Sequence, residues 1–155
     1  MRVYKTVRVD VETKFLLNKL IKIKEKELRE IKHDLNEKFE KLLEENLVKS
    51  EGFSANVDFQ VSCGSILEMC LEYFNQFEET TKAYDVENVL NQKTNVDNER
   101  VGTLTPRFYI FKETETKIEE LKEILFLQQM PRTNQVIKFL IKYYYIKNIL
   151  GNYSE

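Results

Sequence analysis

Two hydrophobic periods alternate along the chain. Residues 3–11, VYKTVRVDV, have period two: Val3, Val7, Val9 and Val11 fall on one side, with Lys5 the exception, and Tyr4, Thr6, Arg8 and Asp10 fall on the other. That predicts a strand with one face to bury and one face of hydrogen-bonding groups. Residues 13–48 hold neither Gly nor Pro and read as one long helix. Ile21, Leu28, Leu35 and Leu42 recur every seven residues, with Leu20, Ile31 and Phe39 beside them and mostly Lys and Glu elsewhere. A stripe this narrow is coiled-coil-like. Its first part, 15–23, is broader and is expected to pack on the strand. The second part is expected to project and needs a partner helix from this chain or another.

Residues 50–57 read as a loop and 57–61 as a short extended piece. In 61–77, Ser62 is a candidate N-cap with Ser65 three residues on, followed by Ile66, Leu67, Cys70, Leu71 and Phe74. The stretch 78–103 is polar, acidic and Asn-rich, with a helical hint at 84–90, and reads as a linker. A second strand is expected over 104–112, LTPRFYIFK, in one of two registers. In one, Phe108 and Ile110 face inward and Arg107, Tyr109 and Phe111 outward; in the other, counted from the following helix, Tyr109 and Phe111 face inward. A slip of one residue exchanges the faces. Then come a helix with a capping box at Thr116 and Glu119, a four-residue turn, and a last helix within the stretch 131–147, with Pro131 just before its start and Thr133 as N-cap. Val136, Ile137, Leu140, Ile141 and Tyr144 repeat the spacing of Ile66 to Phe74. Phe139, Tyr143, Ile146 and Leu150 add a second stripe, so more than one neighbour must grip this helix. Strand, helix, turn, capped helix therefore occurs twice. The division expected is 1–77, a linker at 78–103, and 104–155.

Composition sharpens this outline. Four glycines and two prolines in 155 residues argue for a mostly α chain with a short antiparallel β-ribbon. Net charge is −2, but residues 1–50 hold 13 Lys and Arg against 10 Asp and Glu, 51–103 hold 3 against 10, and 104–155 hold 8 against 6. The acidic excess lies in the middle and leaves room for a positive face at either end. No apolar run has membrane length, the charged N-terminus does not resemble a signal peptide, and a cytoplasmic location is expected. Cys63 and Cys70 stand about 10 Å apart on one helix, too far for a mutual disulfide. His33 stands alone and reads as a surface residue.

The segment TETKIEELKEILFLQQMPRTNQVIKFLIKYY, preceded by a strand, resembles the ribbon-helix-helix DNA-binding family over roughly thirty residues. Two such motifs in one chain look like the tandem arrangement of conjugative-plasmid relaxosome accessory proteins and archaeal virus regulators. The resemblance implies an antiparallel ribbon in the major groove of double-stranded DNA. Carried onto this sequence, Thr6, Arg8 and Asp10 would read bases, joined by Arg107 and Tyr109 in the first register. Arg2, Lys5 and Arg132 would meet phosphates, as would the helix starts at Ser62 and at Thr133 and Asn134. The two motifs can pair within one chain or between two, so a homodimer or higher oligomer is also compatible.

Catalysis has no foothold: there is no glycine-rich phosphate loop, no Cys/His cluster at metal spacing and no nucleophile motif, and no cofactor or small-molecule substrate is expected. The rival expectation is a helical interaction protein whose residues 13–48 form a coiled coil and which binds no nucleic acid.

Overall fold

The computed structural model describes residues 1–46, 58–76, 83–94, 96, 100–125 and 132–151. Its elements run β1 (Arg2–Thr6), α1 (Val11–Asn46), α2 (Cys63–Gln76), α3 (Ala83–Asn91), β2 (Arg107–Phe111), α4 (Lys112–Leu125) and α5 (Thr133–Tyr145), which continues as a π-helical turn over Ile146–Leu150. The described chain is mostly helical with one short two-stranded antiparallel sheet. The loop expected at 50–57 and the turn before the last helix lie outside the described residues.

Two compact units form, one from Met1–Leu20 with Ser62–Glu155 and one from Ile21–Val61. These do not coincide with the halves expected on either side of 78–103, because β1 and β2 come from opposite sides of that stretch and pair with each other. Nor is that stretch only a connector: its helical hint becomes α3, which packs on α5.

In the first unit, Arg2 lies opposite Phe111, Tyr4 opposite Tyr109 and Thr6 opposite Arg107. Backbone bonds extend the ribbon beyond the strands, from Lys112 N–H to Met1 O (3.0 Å), Val7 N–H to Pro106 O (3.3 Å) and Val9 N–H to Leu104 O (2.8 Å). Pro106 sits near the strand's start, where its missing N–H costs one ladder bond at most. Phe108 and Ile110 are buried, which settles the register of β2: Arg107, Tyr109 and Phe111 face out. The alternation of the first strand holds through buried Val9 and then stops. Val11 is exposed, because Asp10 turns the chain into α1 by accepting the Thr13 N–H at 2.8 Å.

Phe15, Leu16, Leu17 and Leu20 of α1 join Ile66, Leu67, Phe74, Leu121, Phe139 and Leu140 in the core beneath the ribbon. α2 packs on both β2 and α5. Phe74 meets Phe139 edge-on at 5.5 Å and Tyr143 at 5.7 Å, and Tyr73 meets Tyr144 at 5.3 Å. Phe74 and Phe139, the fully buried rings of this cluster, each contribute about 1.5–3 kcal/mol relative to exposure. Of the two stripes predicted on this helix, Val136, Ile137, Leu140 and Ile141 of the first and Phe139 and Tyr143 of the second are buried, with α2, α3 and α4 packed on α5, while Tyr144, Ile146 and Leu150 are half-buried.

α2 starts as expected. Ser62 N–H donates to Ser65 Oγ (2.9 Å) and Ser65 N–H to Ser62 Oγ (3.1 Å), a reciprocal cap. α5 starts one residue earlier than expected: Arg132 takes the N-cap position, its N–H donating to Gln135 Oε1 at 3.1 Å, and Thr133 is the first helical residue. The physical reason is the reach of Gln135, which closes the turn on Arg132 so that the Thr133 hydroxyl can donate to Glu119 Oε1 at 3.4 Å. Ile66 and Val136 then stand at the same distance from their caps.

In the second unit the helix keeps a narrow stripe. Ile21, Leu28 and Leu35 are half-buried, while Ile31, Phe39, Leu42 and Leu43 are exposed. Residues 58–61 run along it without forming a strand: Phe39 and Phe59 meet edge-on at 5.2 Å, and Lys32 pairs with Asp58 at 3.0 Å.

Candidate nucleic-acid interface

The outward face of the ribbon follows from its parity. In an antiparallel ladder, residue pairs alternate between those that exchange hydrogen bonds and those that do not, and the latter bring side chains closer. The bonds at Met1/Lys112, Val7/Pro106 and Val9/Leu104 fix the odd rows of β1 as the bonded ones. Arg2/Phe111, Tyr4/Tyr109 and Thr6/Arg107 are therefore the close, non-bonded rows, and Arg8/Thr105 continues them. All eight side chains are exposed. They comprise three arginines, three aromatic rings and two threonines, with no carboxylate.

This face carries a continuous stack. Arg107 lies 4.0 Å above the Tyr4 ring, Tyr4 stacks on Tyr109 at 4.5 Å and 23°, and Arg2 lies 5.6 Å from the Tyr109 ring and 3.8 Å from that of Phe111. Each cation–ring contact at an exposed site stabilises by about 0.5–1 kcal/mol, and the ring pair by a similar amount. Arg2 is further fixed through Nη1, which donates to Glu68 Oε1 at 2.9 Å and to the Tyr109 carbonyl at 3.3 Å. Glu68 reaches across from α2, and its other oxygen accepts the Phe111 N–H (3.1 Å) and the Thr114 hydroxyl (2.8 Å). One carboxylate thus ties α2, the end of β2 and the start of α4 to a ribbon arginine.

The helix starts flank this face. A Cβ on Gly64 would lie 2.3 Å from the Tyr109 carbonyl oxygen, so the first turn of α2 rests directly on the β2 backbone. On the other strand, Glu119 accepts from both Lys5 Nζ (3.3 Å) and Thr133 Oγ1 (3.4 Å), which ties the start of α5 to β1. Backbone N–H groups at helix starts favour anions.

The expected site residues divide accordingly. Thr6, Arg8, Arg107 and Tyr109 share the outward face. Among the described residues Arg8 forms no hydrogen bond or ion pair, and the Arg107 guanidinium lies over the Tyr4 ring. Asp10 does not belong there: Oδ1 caps α1, and Oδ2 meets Lys138 Nζ at 2.6 Å. Burial alone would raise its carboxyl, but the hydrogen bonds from Lys138 and Thr13 outweigh that and hold it below the usual carboxylate range. Lys5 points to the inner side, where Glu119 (3.3 Å) and Glu115 (3.9 Å) neutralise it, and Arg2 is held by Glu68, so neither is a free phosphate contact. The Ser62 hydroxyl serves its own cap, accepting the Ser65 N–H, and the Ser62 N–H donates to Ser65 Oγ, so neither of these groups is open to an anion. Arg132 is exposed at the start of α5, with Thr133 and Asn134 half-buried behind it.

Sequence reasoning missed Arg2, Tyr4 and Phe111 as members of the stack, and Glu68 and Gly64 as its supports. Parity pointed to the first two, since residues 2 and 4 share the side of Thr6 and Arg8. Nothing in the local pattern of α2 marks Glu68.

Among the described residues no group of three or more His, Cys, Asp or Glu side chains is placed to hold a metal, and no helix is long and apolar enough to cross a membrane. Cys63 and Cys70 form no disulfide with each other, and burial pushes the Cys63 thiol up. No protein-family model matches the chain, and neither a curated protein nor a solved structure matches it.

Proposed function

We propose that this protein binds double-stranded DNA by laying the outward face of the β1–β2 ribbon in the major groove, as two ribbon-helix-helix motifs within one chain, and that it acts as a sequence-specific regulator, most simply a repressor. The observation that carries this reading is the eight-residue face itself: three arginines and two threonines among stacked rings, on an exposed two-stranded ribbon of the width a major groove admits. The pairing of β1 with β2 in one chain, and the packing of capped α2 on capped α5, favour the tandem arrangement. Base edges would be read by Arg8, Thr6, Arg107 and Tyr109. Phosphates would be met by Arg132 and by the backbone N–H groups at the starts of α2 and α5, which position the protein without specifying sequence.

A second reading, a helical interaction protein without nucleic-acid binding, draws on the exposed Ile31 and Phe39 of α1. The two separate on a heparin or duplex-DNA column. The DNA-binding protein is retained at low salt and released at moderate salt, whereas the interaction protein passes unretained at any salt.

A further inference from the structure

The two strands carry the same triplet, Arg-apolar-Tyr, in RVY (2–4) and RFY (107–109). Their register sets the two tyrosines directly opposite each other and puts the two arginines at diagonal corners. The face is thus locally two-fold, with a Tyr pair at its centre and an arginine on each side. The stack decides what these groups can offer a ligand. Tyr4 has Tyr109 stacked on it at 4.5 Å and Arg107 over its ring at 4.0 Å, and Tyr109 has Tyr4 stacked on it and Arg2 over its ring at 5.6 Å. A ring occupied on its faces cannot sandwich an unpaired base, so edges remain. Ring edges offer apolar contact, the interaction that suits the C5-methyl of thymine in the major groove. A guanidinium centred over a ring, as Arg107 is over Tyr4 at 4.0 Å and Arg2 over Phe111 at 3.8 Å, can turn its N–H edge outward. Nη1 of Arg2 is taken by Glu68 and the Tyr109 carbonyl, while Nε and Nη2 form no bond with a described residue. A fork of two N–H donors matches O6 and N7 of guanine.

We infer that, within the major-groove reading on which this rests, Tyr4 and Tyr109 recognise thymine methyl groups at the centre of a short near-palindromic element, and Arg2 and Arg107 each recognise a guanine flanking it. The arginines stand four residues apart along the ribbon, about 13 Å at 3.3–3.4 Å per residue. With base pairs about 3.4 Å apart, the two guanines lie about four pairs apart on opposite strands, with A·T pairs between them. Phe111 and Thr6 occupy equivalent outer places on the two strands and differ in chemistry, so the outer positions of the element are not symmetric.

The test has two stages on the full chain. Selection from a random duplex pool should enrich two opposed guanines about four base pairs apart around A·T pairs. In the selected duplex, each central thymine is then replaced by deoxyuridine, which removes only the methyl. Binding should weaken about fourfold per methyl contacted, the effect expected for about one buried methylene equivalent. Arg107→Lys, which keeps the charge and loses the fork, should weaken the guanine-bearing duplex about tenfold and leave a guanine-to-adenine duplex unchanged. Unaltered binding to the deoxyuridine duplex, or tighter binding to the separated single strands, overturns the inference while leaving DNA binding standing. A chain that retains no duplex at low salt overturns both.

Discussion

At the scale of single residues, two positions hold the ribbon in its working shape. Gly64 has no room for a Cβ beside the Tyr109 carbonyl, and the obstacle is backbone, which cannot swing aside as a side chain would. Gly64→Ala must therefore push α2 away from β2 and loosen the clamp that Glu68 exerts on Arg2. A cost of about 1–3 kcal/mol is expected, visible as a fall of several degrees in the melting temperature. Asp10 supports the other strand by capping α1 and pairing with Lys138. Its carboxyl is held below the unfolded value, so its contribution is present above about pH 4 and is lost as pH falls through the folded value. Lys138 is the mirror case: burial works against its charge, but the bond to Asp10 and the charges of Asp10 and Glu12 raise it. Its contribution persists until the solution passes above about pH 10.5. Asp10→Ala is expected to cost about 1 kcal/mol at neutral pH through loss of the cap. Denaturant curves at pH 7 and pH 3 should show the gap between variant and wild type narrowing at the acid end; a constant gap would mean the carboxylate is not the group involved.

At the scale of elements, the last helix depends on one buried cation. Lys142 is 1% exposed, and its ammonium donates to the carbonyls of Leu90 (2.8 Å) and Gln92 (2.7 Å) and pairs with Glu12 at 2.9 Å. It caps the C-terminal end of α3, where a positive charge is favoured by the helix dipole, and joins α5 to the start of α1 through Glu12. Lys142→Met keeps the stem's packing but leaves two carbonyls unsatisfied. Glu12 would retain Lys138 (3.6 Å) and the Thr94 hydroxyl (3.0 Å), so a loss of about 3 kcal/mol, the low end for breaking a buried pair, is expected in urea unfolding. This residue also shows where the sequence was legible. The apolar stripes of α5, the Ser62–Ser65 cap and the outward parity of Tyr4, Thr6 and Arg8 were all readable, because each is a local pattern. Lys142 lies between Ile141 and Tyr143, and only the docking of α3, an element inside the acidic stretch read as a linker, brings it indoors. The register of β2 was open for a related reason: both its faces are apolar, and the choice rests on α2 packing against it at Gly64. Asp10 had the right parity for the ribbon's outer row and yet left it, since a helix starting at Val11 claims the carboxylate as its cap.

At the scale of the whole molecule, the internal ion pairs set how strongly the proposed DNA binding should respond to salt. Six groups were expected to meet phosphates, but Arg2 is neutralised by Glu68 and Lys5 by Glu119 and Glu115. Arg132, the start of α2 at Ser62, and the start of α5 at Thr133 and Asn134 remain, about four contacts in all. Counterion release contributes a log–log slope of about −0.9 per phosphate neutralised, and Arg132 with about half a charge at each of the two helix starts neutralises about two, so the affinity should fall with a slope of about −2, roughly tenfold between 50 and 200 mM salt. Arg132→Ala is expected to reduce the slope by about one and to weaken selected and scrambled duplexes alike, because a phosphate contact carries no sequence. Arg8→Ala should instead cost about 1–3 kcal/mol on the selected duplex and little on the scrambled one, provided its free guanidinium meets a guanine edge. Fluorescence anisotropy titrations of both variants on both duplexes, at four salt concentrations, separate these effects. A slope near −1 would mean that the helix starts do not reach the backbone, and equal losses for Arg8→Ala on both duplexes would remove Arg8 from base reading and assign it to phosphate.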